Sequence, residues 1–360
     1  MNRLNLGLYF NVCNKPGCNP FPPKPLKKCG ACKTAVYCCV DHQREDWPRH
    51  KSTCTLIKKT AAELVKEEAA LRAHQPGETD ERGMPANPFE DPECIGRFCW
   101  LKNTRPYMQA RHNCMSTLLN MRTGESVEAA LDHAREMLRL CRGDNLGVRG
   151  QVPSLLLRMG RDQEAYDFIK WWVTRPKDYD FGDNTQPYLN LQGEDALEPL
   201  NDNWRWESSL SFPVEMTQLK LRLLLDVKNL ADEMKKKKGK MTDEEKKAYV
   251  EEEAASNIML SRPDLIYQDD YTETLKKLEA QVEQGYQLVK KRNKHFWPAI
   301  LMPEMFSHRY PGPYTPGSQE EAVLAFRESW YAWAENETVI AAMRNRIGKG
   351  DKAGYVHRWV

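Results

Sequence analysis

Cysteine is concentrated in one short segment, and this clustering constrains the fold more than any other feature of the chain. Seven of the eleven cysteines lie between residues 13 and 54, together with two histidines. Eight of these side chains form four closely spaced pairs: Cys13 and Cys18, Cys29 and Cys32, Cys38 and His42, and His50 and Cys54. Zinc takes four tetrahedral thiolate or imidazole ligands, and each short pair supplies two of them. Eight ligands therefore predict two zinc ions, which supply much of the folding free energy of a segment too short for a hydrophobic core.

The rest of the chain gives no sign of export or of membrane insertion. No apolar stretch approaches about 20 residues, the length that a membrane-spanning helix needs. The first twelve residues contain only a short apolar run. We therefore expect an intracellular protein of the cytoplasm or nucleus, in which thiols stay reduced and clustered cysteines hold metal. The four remaining cysteines are scattered and are predicted to be buried apolar side chains: Cys94, Cys99, Cys114 and Cys141.

The cysteine-rich segment resembles the MYND zinc finger. The resemblance rests on the order of the four pairs, on Tyr37 directly before Cys38, on Gln43 and Trp47, and on the closing His50–Cys54 pair. It implies a small cross-brace fold in which the pairs alternate between the two ions. One ion would then be held by Cys13, Cys18, Cys38 and His42, and the other by Cys29, Cys32, His50 and Cys54.

Two departures from the family pattern leave the first zinc site open. Four residues separate Cys13 from Cys18, where the family usually has two, and His42 stands where the family usually has cysteine. Imidazole is a good zinc ligand, so His42 is the expected fourth ligand. Cys39 is an alternative to it, although it neighbours Cys38 and points elsewhere on a helix. A finger with only the second zinc is a further alternative.

The resemblance also implies what the finger does. MYND fingers are protein-interaction modules that take up short proline-containing peptides, and Gln43 and Trp47 match the family's peptide-contacting positions. An indole offers proline rings a flat apolar platform, and an amide pairs with peptide backbone. Trp47 has a second interpretation, as a residue that holds the small helix on the zinc sites.

Charge and composition argue against nucleic acid as a partner. The formal net charge is +2, and no recognition-helix motif accompanies the basic side chains of the finger. These are interpreted as a solvated face: Lys24, Lys27, Lys28 and Lys33. The proline-rich stretch 19–28 is interpreted as a stiff spacer, with a polyproline II ligand as the alternative.

Beyond the finger the sequence predicts a mainly α protein. We expect the zinc finger over residues 1–56, a helical extension and linker over 57–92, and an α-helical repeat-like domain over 93–360. Apolar residues recur at helical spacing over 127–140, 162–173, from 213 onwards and over 272–291. The stretch 155–166 resembles a tetratricopeptide-like repeat unit. Residues 174–212 are predicted to be largely irregular, and capping boxes are predicted at Thr242 with Glu245 and at Ser318 with Glu321.

No enzymatic motif is present, so we do not expect an enzyme. The methyltransferase SET domain that some MYND proteins carry would need sequence before the finger, where twelve residues precede Cys13. It would also need a motif that residues 111–116 do not supply. The favoured function is an adaptor in which the finger and the helical domain each hold a protein, similar to MYND-finger proteins of fungi. The alternative is a transcription or chromatin regulator that enters the nucleus through the basic run 235–240.

Overall fold

A computed structural model describes residues 12–18, 25–75, 77–206 and 209–350. It divides the chain into two compact units. The finger unit contains the described residues of Leu8–Leu155 and Pro176–Asn190, and the helical unit contains those of Leu156–Arg175 and Leu191–Val360. Most of the predicted proline-rich spacer, at 19–24, lies outside the described residues.

The finger unit begins with a two-stranded antiparallel sheet and continues with three long helices. The strands are β1 (Lys27–Lys28) and β2 (Val36–Tyr37), and the helices are α1 (Val40–Arg72), α2 (Arg105–Leu118) and α3 (Gly124–Leu140). Helix α1 contains 33 residues and runs without interruption past residue 56. The predicted boundary at residue 56 therefore lies inside a helix, and the division at residues 56 and 92 stays a prediction.

Helix α1 packs along α2, and α2 packs along α3. Ile57, Leu64 and Leu71 recur every seven residues on α1 and are buried, which places one stripe of the helix in the core. Thr123 caps α3, since its hydroxyl accepts a hydrogen bond from the backbone N–H of Ser126. The same hydroxyl donates to the carbonyl oxygen of Thr34 at 2.8 Å. The finger is thus tied by a buried hydrogen bond to the helices that follow it.

The helical unit consists of many helices joined by short connections. Within the described residues these are α4 (Val152–Arg158), which contains the division between the units, α5 (Asp162–Thr174), α6 (Ser211–Lys236), α7 (Asp243–Glu253), α8 (Asn257–Leu260), α9 (Pro263–Ile266), α10 (Thr272–Arg292), α11 (Phe296–Leu301), α12 (Pro303–Ser307), α13 (Gln319–Ala334) and α14 (Glu337–Gly350). The mainly α fold class is confirmed. The tetratricopeptide-like repeat stays a prediction.

Helix α6 is the centre of the helical unit and is buried around most of its circumference. It packs against α5, α10 and α13. At the crossing with α10, a Cβ placed on Gly285 would lie 2.5 Å from the Thr217 hydroxyl oxygen, so only glycine allows this approach. Aromatic rings of α10, α11 and α13 complete the core: Tyr286, Phe296, Trp297, Phe326 and Trp333.

The stretch 174–212 was predicted to be largely irregular, and its described residues between α5 and α6 are irregular. In the helical unit, side chains of neighbouring helices bind its backbone. Lys220 of α6 donates to the carbonyl oxygens of Ala196 and Glu198, at 2.5 and 2.7 Å. Glutamines of α10 donate to two further carbonyls of the same stretch. These bonds satisfy polar backbone groups of residues 196–200 that no helix or sheet pairs, so this part of the stretch is held without secondary structure.

The two predicted capping boxes have different outcomes. Thr242 and Glu245 bond reciprocally, with the Glu245 N–H donating to the threonine hydroxyl and the Thr242 N–H donating to the Glu245 carboxylate. At α13 the Ser318 hydroxyl accepts from the Glu321 N–H as predicted. The prediction of a reciprocal bond from the Ser318 N–H to the Glu321 carboxylate is wrong. That carboxylate accepts instead from the Gly317 N–H and the Asn293 amide. Among the described helices none combines the length and the apolar character needed to cross a membrane.

Candidate metal centre

The cysteine pairs are positioned by a network of backbone hydrogen bonds around the small sheet. The Cys29 N–H donates to the Ala35 carbonyl at 2.7 Å, and the Lys33 N–H donates back to the Cys29 carbonyl at 3.0 Å. Lys33 has a left-handed φ of 63°, which turns the chain back towards β2 after the second pair. The Asn14 N–H donates to the Val36 carbonyl at 2.8 Å and places the first pair beside the same strand.

The first group of candidate ligands contains one buried and three half-buried side chains: Cys13, Cys18, Cys38 and His42. Their ligand atoms all lie within 4.8 Å of one another. The Cys13 Sγ lies 3.7 Å from His42 Nδ1, and the Cys18 and Cys38 sulfurs are 3.7 Å apart. Cys39 stays outside this group. It is the N-cap of α1 in an extended conformation, with φ −158° and ψ 166°.

The second group is buried throughout: Cys29, Cys32, His50 and Cys54. The Cys29 and Cys54 sulfurs are 4.0 Å apart, and the Cys32 Sγ lies 3.6 Å from His50 Nε2. His50 and Cys54 are four residues apart on α1, so both side chains lie on the same face of the helix. The chain therefore brings together the eight predicted side chains as two alternating groups of four.

Both groups fit tetrahedral zinc. With Zn–S bonds of about 2.3 Å and Zn–N bonds of about 2.0–2.1 Å, the edges of the tetrahedron are about 3.8 Å between sulfurs and about 3.6 Å between sulfur and nitrogen. Four separations, from 3.6 to 4.0 Å, lie close to these values, whereas the Cys38 Sγ lies 3.1 Å from His42 Nδ1, which is shorter than a tetrahedral edge. Four protein ligands for each ion complete the tetrahedron, as in structural zinc sites, and leave no position for a substrate.

The pKa shifts of the second-group side chains also fit a zinc site. Burial raises the pKa of Cys54 to about 12, and repulsion from the neighbouring Cys32 and Cys29 adds to the effect. Burial lowers the pKa of His50, which keeps its imidazole neutral and able to act as a ligand. Clustered buried thiols of this kind become thiolates when a divalent cation balances their charge. The donor set therefore matches zinc in chemistry as well as in spacing.

A hydrogen-bond network centred on the buried Asp46 carboxylate lies beside the second group, where the Tyr37 ring contacts the His50 ring edge-on. The Tyr37 hydroxyl donates to Asp46 Oδ2 at 2.7 Å, and the Arg49 guanidinium donates to both oxygens of the same carboxylate. Arg49 also donates to the Asn14 carbonyl at 2.6 Å. Burial and the Asp46 carboxylate together raise the pKa of Tyr37, so its hydroxyl stays a donor. The network links α1 to β2 and to the first cysteine pair.

The predicted peptide-contacting residues, Gln43 and Trp47, lie in the first turns of α1, before His50 and Cys54 on the same stripe of the helix. Trp47 is 40% exposed, and its indole also contacts the His50 ring edge-on, with 5.9 Å between ring centroids. Both interpretations of Trp47 are therefore compatible with its position. Gln43 is half-buried one turn earlier, and Val40 is 55% exposed at the start of the helix. Positions 40, 43 and 47 share one helical face.

Sequence reasoning missed one feature of the remaining cysteines. Cys94, Cys114 and Cys141 are buried, as predicted, and Cys99 is half-buried. Cys141 is not isolated, because its thiol donates to Asn145 Oδ1 at 3.4 Å and its backbone pairs with that of Arg97 as an antiparallel bridge. No spacing signal relates residues 97 and 141, so only the folded structure shows this bridge.

The choice between His42 and Cys39 is directly testable. We expect His42→Ala to lose one zinc ion and Cys39→Ser to keep both, since only His42 places a ligand atom in the first group. Native mass spectrometry of the two purified variants measures the number of bound ions. Two zinc ions in His42→Ala, or one in Cys39→Ser, would contradict this assignment.

Comparison with known proteins finds similarity in the cysteine-rich segment. Residues 11–54 match the family model described as MYND finger. N-lysine methyltransferase SMYD2-B of Xenopus laevis is 39% identical over 74 residues, which are 18% of this chain and 17% of that protein. Egl nine homolog 1 of Mus musculus is 52% identical over 46 residues, 13% of this chain and 10% of that protein. N-lysine methyltransferase SMYD2 of Bos taurus is 63% identical over 30 residues, which are 8% of this chain and 7% of that protein.

The chain thus spans less than one fifth of the length of each of these relatives. No solved structure matches it. The family match and the two groups of four ligands agree on the same segment. Residues 11–54 are a MYND finger, a zinc-binding protein-interaction module with two Cys/His groups.

Proposed function

We propose that this protein is an adaptor. Its finger binds a short proline-containing peptide of one protein, and its helical region holds a second protein. The curated relatives share only the finger with this chain, so the methyl transfer named for some of them is not carried over. The closed zinc sites support binding rather than catalysis in the finger, because a catalytic zinc keeps one coordination position open.

The observation that carries the proposal is the exposed apolar face at the start of α1. Trp47 and Val40 are both exposed there, in the turns that precede the buried second-group ligands His50 and Cys54 on the same stripe of the helix. An indole loses little conformational freedom when it binds, and its flat surface suits proline rings. Gln43 lies between the two apolar side chains, where its amide can pair with the backbone of a bound peptide.

A nuclear regulator that uses the same finger is the second candidate. Its support is the basic run at the end of α6, where the side chains of Lys235 and Lys236 are largely exposed. Nuclear accumulation that is lost when the lysines of 235–240 are changed to glutamine would favour this candidate. Retention of both the nuclear signal and the partners in that variant would count against it.

The experiment that tests the adaptor compares two exposed apolar residues of α1. Trp47→Ala removes the proposed platform, whereas Leu56→Ala removes a side chain of similar exposure beyond the last zinc ligand. An array of proline-containing peptides, each paired with its proline-to-alanine version, serves as the probe. Since aromatic residues at the centre of an interface contribute about 2 kcal/mol or more, we expect Trp47→Ala to weaken peptide binding at least about 30-fold.

Two controls make the result decisive. Native mass spectrometry must show two zinc ions in both variants, so that loss of the fold is not mistaken for loss of a contact. Leu56→Ala should bind the array like the wild type. Equal binding by Trp47→Ala and the wild type would refute the role of this face. Binding that does not depend on proline would refute the peptide class.

A further inference from the structure

A hollow in the helical unit lies where α11, α12 and the start of α13 meet. Most of its lining is apolar: Pro298, Met302, Met305 and Phe306. Phe306 is buried and packs against Phe326 of α13, with 5.8 Å between ring centroids. Met305 is 39% exposed. The hollow thus combines a buried phenyl ring, fixed to α13, with methionine side chains that solvent reaches.

Hydrogen bonds between the surrounding helices fix the shape of this hollow. The Asn293 amide, at the end of α10, donates to the Glu321 carboxylate of α13 at 2.9 Å. The Asn293 side-chain oxygen accepts from the His295 N–H at 3.0 Å, at the start of α11. The Arg327 guanidinium of α13 donates to the Arg309 carbonyl at 3.0 Å. A ligand therefore meets a preformed site, and little binding free energy is lost in ordering it.

Positive charge is concentrated around the hollow. The stretch 290–320 contains five lysines and arginines and two glutamates, an excess of +3, whereas the whole chain has a formal net charge of +2. Arg309 lines the hollow, and its guanidinium lies over the Phe306 ring, 5.5 Å from the centroid. Lys294 and Arg309 are both exposed, and neither belongs to an ion pair among the described residues. The hollow therefore has cations beside it whose charge the protein does not neutralise.

We propose that this hollow is the surface with which the helical unit holds a second protein, and that it binds a short acidic peptide segment with one apolar anchor. The inference rests on the proposed adaptor function and names the chemistry of its second partner. Methionine side chains adapt to anchors of different shape, and a phenyl ring adds apolar contact area. Carboxylates of the peptide pair with Arg309 and Lys294, and the same charges repel basic segments.

An acidic peptide fits this surface better than a nucleic acid. Proteins that bind single-stranded nucleic acid combine a groove of many cations with exposed aromatic rings on which bases stack. The described lining of the hollow contains one arginine, Arg309, and its aromatic ring, Phe306, is 6% exposed. A mostly apolar lining with a few polar groups is typical of sites that take up an apolar side chain.

The test uses the full chain with both zinc ions bound and a set of fluorescently labelled synthetic peptides. Each peptide carries one leucine or phenylalanine among glutamates and aspartates. Matched peptides replace the anchor with alanine, or the acidic residues with lysine. Fluorescence anisotropy measures the Kd of each peptide at low and at high salt. We expect each matched peptide to bind at least about 5-fold more weakly, and the acidic peptide to bind more weakly at high salt, where its charges are screened.

Substitutions at exposed positions separate the apolar and the charged contributions. Met305→Ala and Arg309→Glu should each weaken binding of the acidic peptide at least about 5-fold, and Arg309→Glu should also reduce its salt dependence. Leu260→Ala, on α8, removes an apolar side chain of similar exposure, and Lys228→Glu, on α6, makes the same change in net charge at an exposed position. Both controls should bind like the wild type, and all four variants should keep the wild-type thermal midpoint.

Three results would overturn the proposed surface. These are no binding of any acidic peptide, equal binding by the wild type and by the double variant of Met305→Ala with Arg309→Glu, and tighter binding of a single-stranded RNA than of the peptides. Affinity capture from cells separates this failure from that of the adaptor. Partners that persist in both Trp47→Ala and the double variant would refute this surface alone. If every partner is lost with Trp47→Ala, the second binding function of the adaptor is refuted as well.

Discussion

Replacement of Cys54 with serine is expected to reduce the number of bound zinc ions from two to one and to unfold the finger. Cys54 belongs to the fully buried second group, and its sulfur lies 4.0 Å from that of Cys29. A structural zinc ion contributes about 10–16 kcal/mol of apparent binding free energy in zinc-finger peptides. That amount is comparable to the whole free energy of unfolding of a typical domain, about 5–15 kcal/mol. The remaining contacts of the finger cannot replace it.

Three measurements check this result. Native mass spectrometry counts the zinc ions, far-ultraviolet circular dichroism measures the loss of helix from the first turns of α1, and limited proteolysis locates new cleavage sites in residues 25–56. Cys114→Ser is the matched control, since it removes a buried thiol from α2 that belongs to neither group. A Cys54→Ser variant with two bound zinc ions and wild-type resistance to protease would show that the second group is not a metal site.

Replacement of Arg222 with methionine is expected to lower the free energy of unfolding of the helical unit by about 3–5 kcal/mol. Arg222 is 3% exposed at the centre of α6. Its guanidinium donates to the carbonyl oxygens of Leu157, at 2.7 Å, and Ala255, and it forms an ion pair with Asp162 at 3.1 Å. Methionine fills similar space without the charge, so the buried carboxylate of Asp162 loses its cation.

The pH dependence of the Arg222→Met variant gives an independent check. Burial raises the pKa of Asp226 to about 7 in the folded state, and the Arg222 charge opposes that rise. A carboxyl group with a raised folded-state pKa binds more protons in the folded state, so its contribution to stability falls as the pH rises through that range. Without Arg222 the pKa rises further, and we expect a greater loss of stability at pH 8 than at pH 6.

Urea unfolding at both pH values measures these effects, and a double variant provides the control. Asp162→Asn combined with Arg222→Met removes the unpaired carboxylate and should recover part of the lost stability. A loss below about 1 kcal/mol in Arg222→Met would place the interaction among ordinary surface ion pairs and contradict its buried role.

The sequence by itself determined the zinc chemistry and most of the helices. The ligands of each pair, such as Cys29 with Cys32 and His50 with Cys54, are close neighbours in the chain. A tetrahedral zinc ion accepts few other spacings of its ligands. Helices α3, α5 and α10 follow from apolar periodicity, and the capping box of Thr242 follows from residues three positions apart. These features depend on local spacing, which a sequence displays directly.

The tertiary structure decided the contacts between distant residues. The position of Cys39 outside the first group depends on the extended backbone that precedes α1. The bond from Thr123 to Thr34 and the ion pair of Arg222 with Asp162 each join residues that no motif relates. Polar and sulfur side chains have many compatible partners in a chain of 360 residues, and only the packing of the helices selects one of them.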